Sequence, residues 1–160
     1  MNASPPYRGL GTLLRHLLEL LDGDVEQAYG ELGLDYRPRF TPVVRALLES
    51  EPRSIRDIAN HCGLTHSAVS QTVAEMKRAG LVSLVKDRAD ARARLARLAP
   101  RCRAMLPRLE QQWAATNSAA DDLDEELSNS LRASVTEAIA ALEKDPFRRR
   151  IEKCMKRRRS

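Results

Sequence analysis

The chain has 160 residues, of which 42% are hydrophobic but only 4% aromatic, with a formal net charge of +5. That length suits one compact domain, or one domain with helical extensions, whose core is built from aliphatic side chains and alanine. No apolar run approaches the roughly 20 residues of a membrane span, and the first residues lack a basic stretch followed by an apolar signal core, so a cytoplasmic protein without membrane contact is expected. Cys62, Cys102 and Cys154 are too few and too scattered for a disulfide framework, which predicts reduced thiols.

Residues 1–6, with two prolines, read as a loose arm. Leu10, Leu13, Leu14, Leu17, Leu18 and Leu21 then recur at helical spacing. The stripe is broader than one neighbour needs, which predicts packing against a second copy of the chain as well as its own core. Gly23 and Gly30 loosen the pattern around Val25 to Tyr29, where a second helical piece is expected. Gly33 to Arg39 reads as a loop. Thr41-Pro42 opens a helix in the favoured order of cap then proline, with Val43, Val44, Leu47 and Leu48 towards the core.

Ser54 ahead of Ile55-Arg56-Asp57-Ile58-Ala59 places an N-cap hydroxyl and a first-turn acid where free backbone N–H groups need partners. This short helix ends at Gly63, which can take the left-handed turn. Thr65 caps a second helix over about 66–78, with Ala68, Val69, Thr72, Val73 and Met76 as its buried stripe. His66, Ser67, Ser70, Gln71 and Glu75 fall to another side, and all but the last suit base edges. Two short helices joined by a tight turn, with small Ala59 at the crossing, form a helix-turn-helix whose second helix enters the major groove. Gly80 stops that helix. Leu81 to Val85 and Arg92 to Ala99 then read as two strands around the loop Lys86 to Ala91, which forms a wing able to bring Arg88 to phosphates or the minor groove.

Gly80-Leu81-Val82, followed by Asp87-Arg88-Ala89-Asp90-Ala91-Arg92 and Leu98-Ala99-Pro100, resembles the MarR family of bacterial transcription regulators. The family's wing reads Asp, any residue, Arg, five residues, then Leu-Thr. Asp90, Arg92 and Leu98 match, Ala99 replaces the threonine, and Ala91 stands where many relatives carry a second arginine. The resemblance implies that Asp90 holds the wing by pairing with an arginine and that Arg92 faces DNA. It also implies a two-fold homodimer built from the first helix and the last two, with recognition helices about 34 Å apart on an inverted repeat. The helix after Pro42 would border an effector cavity, which draws attention to Tyr36, Arg37, Arg39 and Phe40; an ordinary loop with an anchored aromatic is the other reading of that stretch.

Beyond the wing, Pro100 begins a long helix through Leu106, Leu109 and Trp113 towards Ser118. An acidic run, Asp121 to Glu126, precedes a last main helix starting near Ser128, with Leu131, Val135, Ile139 and Leu142 as its stripe. After Pro146, Phe147, Ile151 and Met155 suit a further amphipathic turn or two within a basic tail. Residues 77–103 hold nine lysines and arginines against two aspartates, and residues 148–160 hold eight against one glutamate, so two places favour a polyanion.

The expected fold is therefore mainly α with a small two-stranded β wing, a winged helix-turn-helix with a helical dimerisation region from both termini. The expected division is 1–36 for an N-terminal dimerisation region, 37–100 for DNA binding, 101–147 for C-terminal dimerisation helices and 148–160 for the tail. Neither a phosphate loop nor a catalytic or metal-ligand spacing is present, so no enzyme and no cofactor are expected. The partners expected are double-stranded DNA, a second copy of the chain and a small-molecule effector. DNA contacts are assigned to Thr65, His66, Ser67, Ser70, Gln71, Arg88, Asp90, Arg92 and Arg94. Two alternatives stand beside a ligand-released repressor: a thiol switch through Cys62 in the helix-helix turn, and a winged-helix protein-interaction module without specific DNA reading.

Overall fold

The computed structural model describes residues 9–87 and 94–158. It divides into two compact units, Met1–Trp113 and Ala114–Ser160.

In the first unit, α1 (Leu10–Glu31) runs unbroken through Gly23 and Gly30. The expected second helical piece is thus the end of the first helix: a mid-helix glycine costs about 1 kcal/mol, which is too little to force a break. A 3-10 turn, Pro38–Phe40, leads into α2 (Thr41–Glu49), which buries Val43, Val44, Ala46 and Leu47. Leu48, expected inside, is 40% exposed. Ala46 takes the inner position, since its small side chain allows close approach.

The Ser54 hydroxyl accepts the Asp57 N–H at 3.1 Å and starts α3 (Ile55–Cys62), and Gly63 closes it with φ of 64°. Thr65 accepts the Ala68 N–H at 3.2 Å and starts α4 (His66–Arg78). Val69, Val73 and Met76 of α4 are buried, Thr72 is half-buried and Ala68 is exposed. The expected stripe is therefore shorter, because the first turn of α4 projects from the body of the unit. Gly80, with φ of 69°, ends α4.

The sheet has three strands rather than two. β2 (Val82–Lys86) and β3 (Arg94–Leu98) form the antiparallel wing hairpin, with Val85 opposite Leu95 and Lys86 opposite Arg94. The two-residue β1 (Arg53–Ser54) pairs with the other edge of β3, giving the order β1-β3-β2. It satisfies part of an edge that a lone hairpin would leave open. Ala96 and Leu98 of β3 face the core beside Val82, Leu81 and Ile58.

α5 (Pro100–Glu126) contributes Cys102, Met105, Leu109 and Trp113 to the same core and continues through Pro107. It ends well beyond Ser118, so the acidic run 121–126 is helical. In the second unit, Ser130 rather than Ser128 caps α6 (Leu131–Lys144). Asp124 accepts the N–H groups of Leu131 at 2.6 Å and Arg132 at 3.2 Å, and the Ser130 hydroxyl at 2.6 Å. These bonds, the Ser130 hydroxyl foremost, hold the Asp124 carboxyl below the usual carboxylate range. α7 (Phe147–Arg157) completes the described chain.

Candidate nucleic-acid interface

α3 and α4 meet through Ile58, Ala59, Val69 and Val73, all buried. The two local caps decide this geometry: Gly63 reverses the chain within one residue and Thr65 restarts the helix two residues later. Thr65, His66, Ser67 and Gln71 are exposed, and Ser70 is half-buried. The hydroxyl, imidazole and amide groups at the start of α4 thus face solvent while its aliphatic residues anchor it. Arg94, opposite Lys86 at the root of the wing, is also exposed. Arg88, Asp90 and Arg92 lie outside the described residues.

Glu75 lies one turn beyond Gln71 on α4 but does not join the exposed polar group. Arg39 contacts its carboxylate and Arg37 stands 3.9 Å away, tying the 3-10 turn to α4. Arg37 also stands 3.8 Å from Glu26 of α1.

Two arginines counted in the basic segment 77–103 are engaged within the protein. Arg101 donates to the Ala79 carbonyl at 2.7 Å, and thus to the C-terminal end of α4, and to Asp35 at 3.3 Å. Arg103 pairs with Glu51, which also accepts the Leu98 N–H at 2.9 Å. These side chains hold the unit together, while Lys77 and Arg78 of α4 and Lys86, Arg94 and Arg97 of the wing strands are exposed. Sequence reasoning also passed over Arg97, which with Lys86, Pro52, Val85, Asp87 and Leu95 lines an open concavity of about 480 Å³ at the wing root. The alternation of β3, which puts Arg97 opposite Ser83, was the available signal.

Residues 41–93, spanning α2, the helix-turn-helix and β2, match the model of the MarR family. That stretch is similar to the winged helix-turn-helix of the family. Solved structures of similar fold include the PcaV transcriptional regulator of Streptomyces coelicolor with its natural ligand, at 22% identity and a TM-score of 0.63, covering 91% of this chain and 99% of that one. The transcriptional repressor CouR bound to a 23-mer DNA duplex is 20% identical with a TM-score of 0.61, covering 84% and 92%. BpsR of Bordetella bronchiseptica, described for regulation of its DNA binding by 6-hydroxynicotinic acid, is 21% identical with a TM-score of 0.58, covering 86% and 97%. No curated protein sequence matches the chain.

The four residues singled out beside α2 divide into two aromatics and two cations. Tyr36 and Phe40 are buried, with ring centroids 5.6 Å apart, and Tyr36 sits 4.9 Å from Tyr29 and 6.5 Å from Trp113. The Tyr36 hydroxyl donates to Thr41 at 3.3 Å, and burial pushes its pKa up. Arg37 and Arg39 point the other way and are about half exposed. The alternation follows from the turn, which sends its aromatics into the core and its cations outward.

Cys62 is half-buried at the end of α3, and its thiol donates to the Pro42 carbonyl at 3.4 Å. Burial raises its pKa and nearby Arg53 offsets only part of that rise. The shift runs against the thiolate activation that a redox switch requires. Glu49 accepts from Arg53 at 2.7 Å and also lies 3.3 Å from the His61 imidazole.

Proposed function

We propose that this protein is a homodimeric, sequence-specific DNA-binding transcriptional regulator, acting as a repressor of a pseudo-palindromic operator and released by a small-molecule ligand. One observation carries the reading: the first turns of α4 present Thr65, His66, Ser67 and Gln71 to solvent on a helix anchored by Val69, Val73 and Met76. That is the chemistry of a recognition helix, in which Gln71 reads adenine bidentately while Ser and His contact bases or phosphates less selectively. Arg88, Arg92 and Arg94 of the wing add phosphate or minor-groove contacts, and Asp90 supports the wing.

Exposed apolar side chains at both ends of the chain support the homodimer. Leu10, Leu13, Leu14, Leu18 and Leu21 of α1, and Val135, Ile139 and Leu142 of α6, are exposed in a single copy. In the same reading, residues 1–36 and 101–147 supply the dimer contacts, 37–100 bind DNA and 148–160 form a basic tail. The DNA duplex with CouR, the natural ligand with PcaV and the 6-hydroxynicotinic acid of BpsR support, by similarity of fold, a protein that takes both DNA and an organic effector.

Selection of bound duplexes from a random pool tests the proposal, followed by affinity against scrambled DNA at two salt concentrations. A two-fold symmetric winner preferred by on the order of a thousandfold is expected. Weak binding without a common sequence, steeply reduced by salt, would leave a basic interaction module in place of a regulator.

A further inference from the structure

The last helix, α7, separates its side chains into two arcs. Phe147, Ile151 and Met155, four residues apart, fall within about 80° of helix surface. They are 61%, 47% and 54% exposed. The rest of the helix carries six cations against Glu152, with Arg148 at one edge of the apolar arc, Arg157 at the other, and Arg149, Lys153 and Lys156 behind it. Arg148 reaches Glu152 at 3.1 Å, an exposed pair that is given up at little cost. The helix is fastened to the end of α6. Arg150 donates to the Ala141 and Asp145 carbonyls at 3.0 Å each, and Lys153 donates to the Asp145 carboxylate at 3.0 Å. A lone helix of 11 residues is marginal in water, so these bonds supply a preformed α7 and spare a partner the cost of ordering it.

Whatever covers α7 must accept both arcs. The apolar stripe of α6, Val135, Ile139 and Leu142, lies on a helix whose charges balance, which suits a second copy of the chain. Setting α7 against α7 would instead bring like charges together. A nucleic acid accepts the cations but leaves Phe147, Ile151 and Met155 in water. An anionic lipid surface accepts both, with the acyl boundary under the apolar arc and phosphates beside its edges. We propose that α7 docks on an anionic phospholipid bilayer, lying in the plane of the surface with Phe147, Ile151 and Met155 below the headgroups. Arg148 and Arg157 then lay their stems along the boundary and hydrogen-bond lipid phosphates. Arg149, Lys153 and Lys156 stay in water, close enough to the negative surface to be attracted by it. No described helix is long and apolar enough to cross a bilayer, and a helix lying on the surface needs no such length. The lipid surface stands on α7 alone and does not depend on the reading of DNA.

Flotation of the full chain with vesicles tests it. Equimolar phosphatidylglycerol and phosphatidylcholine vesicles are expected to bind wild type about tenfold or more tightly than vesicles of phosphatidylcholine alone. Phe147→Ala with Ile151→Ala keeps every charge and favours the helix. That pair is expected to weaken binding to the anionic vesicles about tenfold or more, while affinity for a scrambled DNA duplex and the sedimentation velocity stay as in wild type. Arg148→Gln with Arg157→Gln is also expected to lose about tenfold or more, at roughly fivefold per cation near the surface. In Phe147→Trp the new indole is expected to shift its emission to the blue on anionic vesicles, a change that the buried Trp113 of wild type does not show. Equal affinity for neutral and anionic vesicles, no binding to either, or undiminished binding by the alanine pair would overturn the lipid surface. So would a lower oligomeric state of the alanine pair, which would give the apolar arc to a second copy, or its loss of the scrambled duplex, which would give the arc to nucleic acid.

Discussion

The indole N–H of Trp113 donates to the Tyr29 hydroxyl at 3.0 Å in the buried core, joining α5 to α1 across 84 residues of sequence. Arg45 lies over the other part of this pairing, 4.9 Å from the centre of the Trp113 rings. In a chain with few aromatics, four of them gather here with Tyr36 and Phe40, and they fix the end of α1 against the start of α2. The helix proposed to dimerise, α1, is thereby tied to α2, which packs against the helix pair proposed to read DNA.

Trp113→Phe keeps most of the apolar contact but leaves the Tyr29 hydroxyl without its donor and removes the stronger cation–π face. A loss of about 1–3 kcal/mol is expected from the orphaned buried group. Urea unfolding measures it, and a midpoint equal to wild type would show that water replaces the indole without cost.

Thr65→Ala removes the side chain that accepts the Ala68 N–H at the start of α4. The cost to stability is expected to be about 1 kcal/mol, with faster hydrogen exchange confined to the first turn of α4. Equal exchange at Ala68 in the two proteins would mean that the cap does not hold that turn.

Gln71→Ala and Arg94→Ala are expected to fail differently on the selected operator. Loss of Gln71 relaxes preference at one base position by about 1–3 kcal/mol and leaves the rest of the site intact. Loss of Arg94 weakens all sequences alike and reduces the salt slope by about one. A uniform loss from Gln71→Ala would contradict base reading, and an unaltered slope in Arg94→Ala would remove its phosphate contact.

Burial raises the Cys102 thiol from its ordinary 9.0 to about 11. Between those values the unfolded chain releases a proton that the folded protein retains. The contribution of this group is thus fully present below pH 9 and falls by about 1.4 kcal/mol per pH unit as the pH rises towards 11. Denaturation at pH 8, 9, 10 and 11 is expected to show a shallower decline in Cys102→Ala than in wild type. Parallel declines would assign the alkaline loss to other groups.

Much of the candidate interface was legible in the sequence, since the Ser54 and Thr65 caps, the Gly63 turn and the Val69-Val73-Met76 stripe act within a few residues of themselves. The same locality explains the leucine repeat of α1 and the β2–β3 hairpin. It also explains the errors: Gly23 looked like a break because a propensity was read where continuous helix tolerates it, and β1 was missed because two residues carry no period.

The fates of the charges were decided elsewhere. By sequence alone Arg37 and Arg39 were candidates for the border of an effector cavity, Arg101 and Arg103 were two cations of a basic segment, and Glu75 was one more polar residue on a helix face. Tertiary structure brings Arg103 to Glu51 across 52 positions, Arg101 to Asp35 across 66 and Arg108 to the Leu32 carbonyl across 76, and it sets Glu75 between two arginines. Caps and apolar periods are local because backbone hydrogen bonds and helix faces repeat every three or four residues. An ion pair has no such period, and its partner is whichever opposite charge the packed core carries within reach.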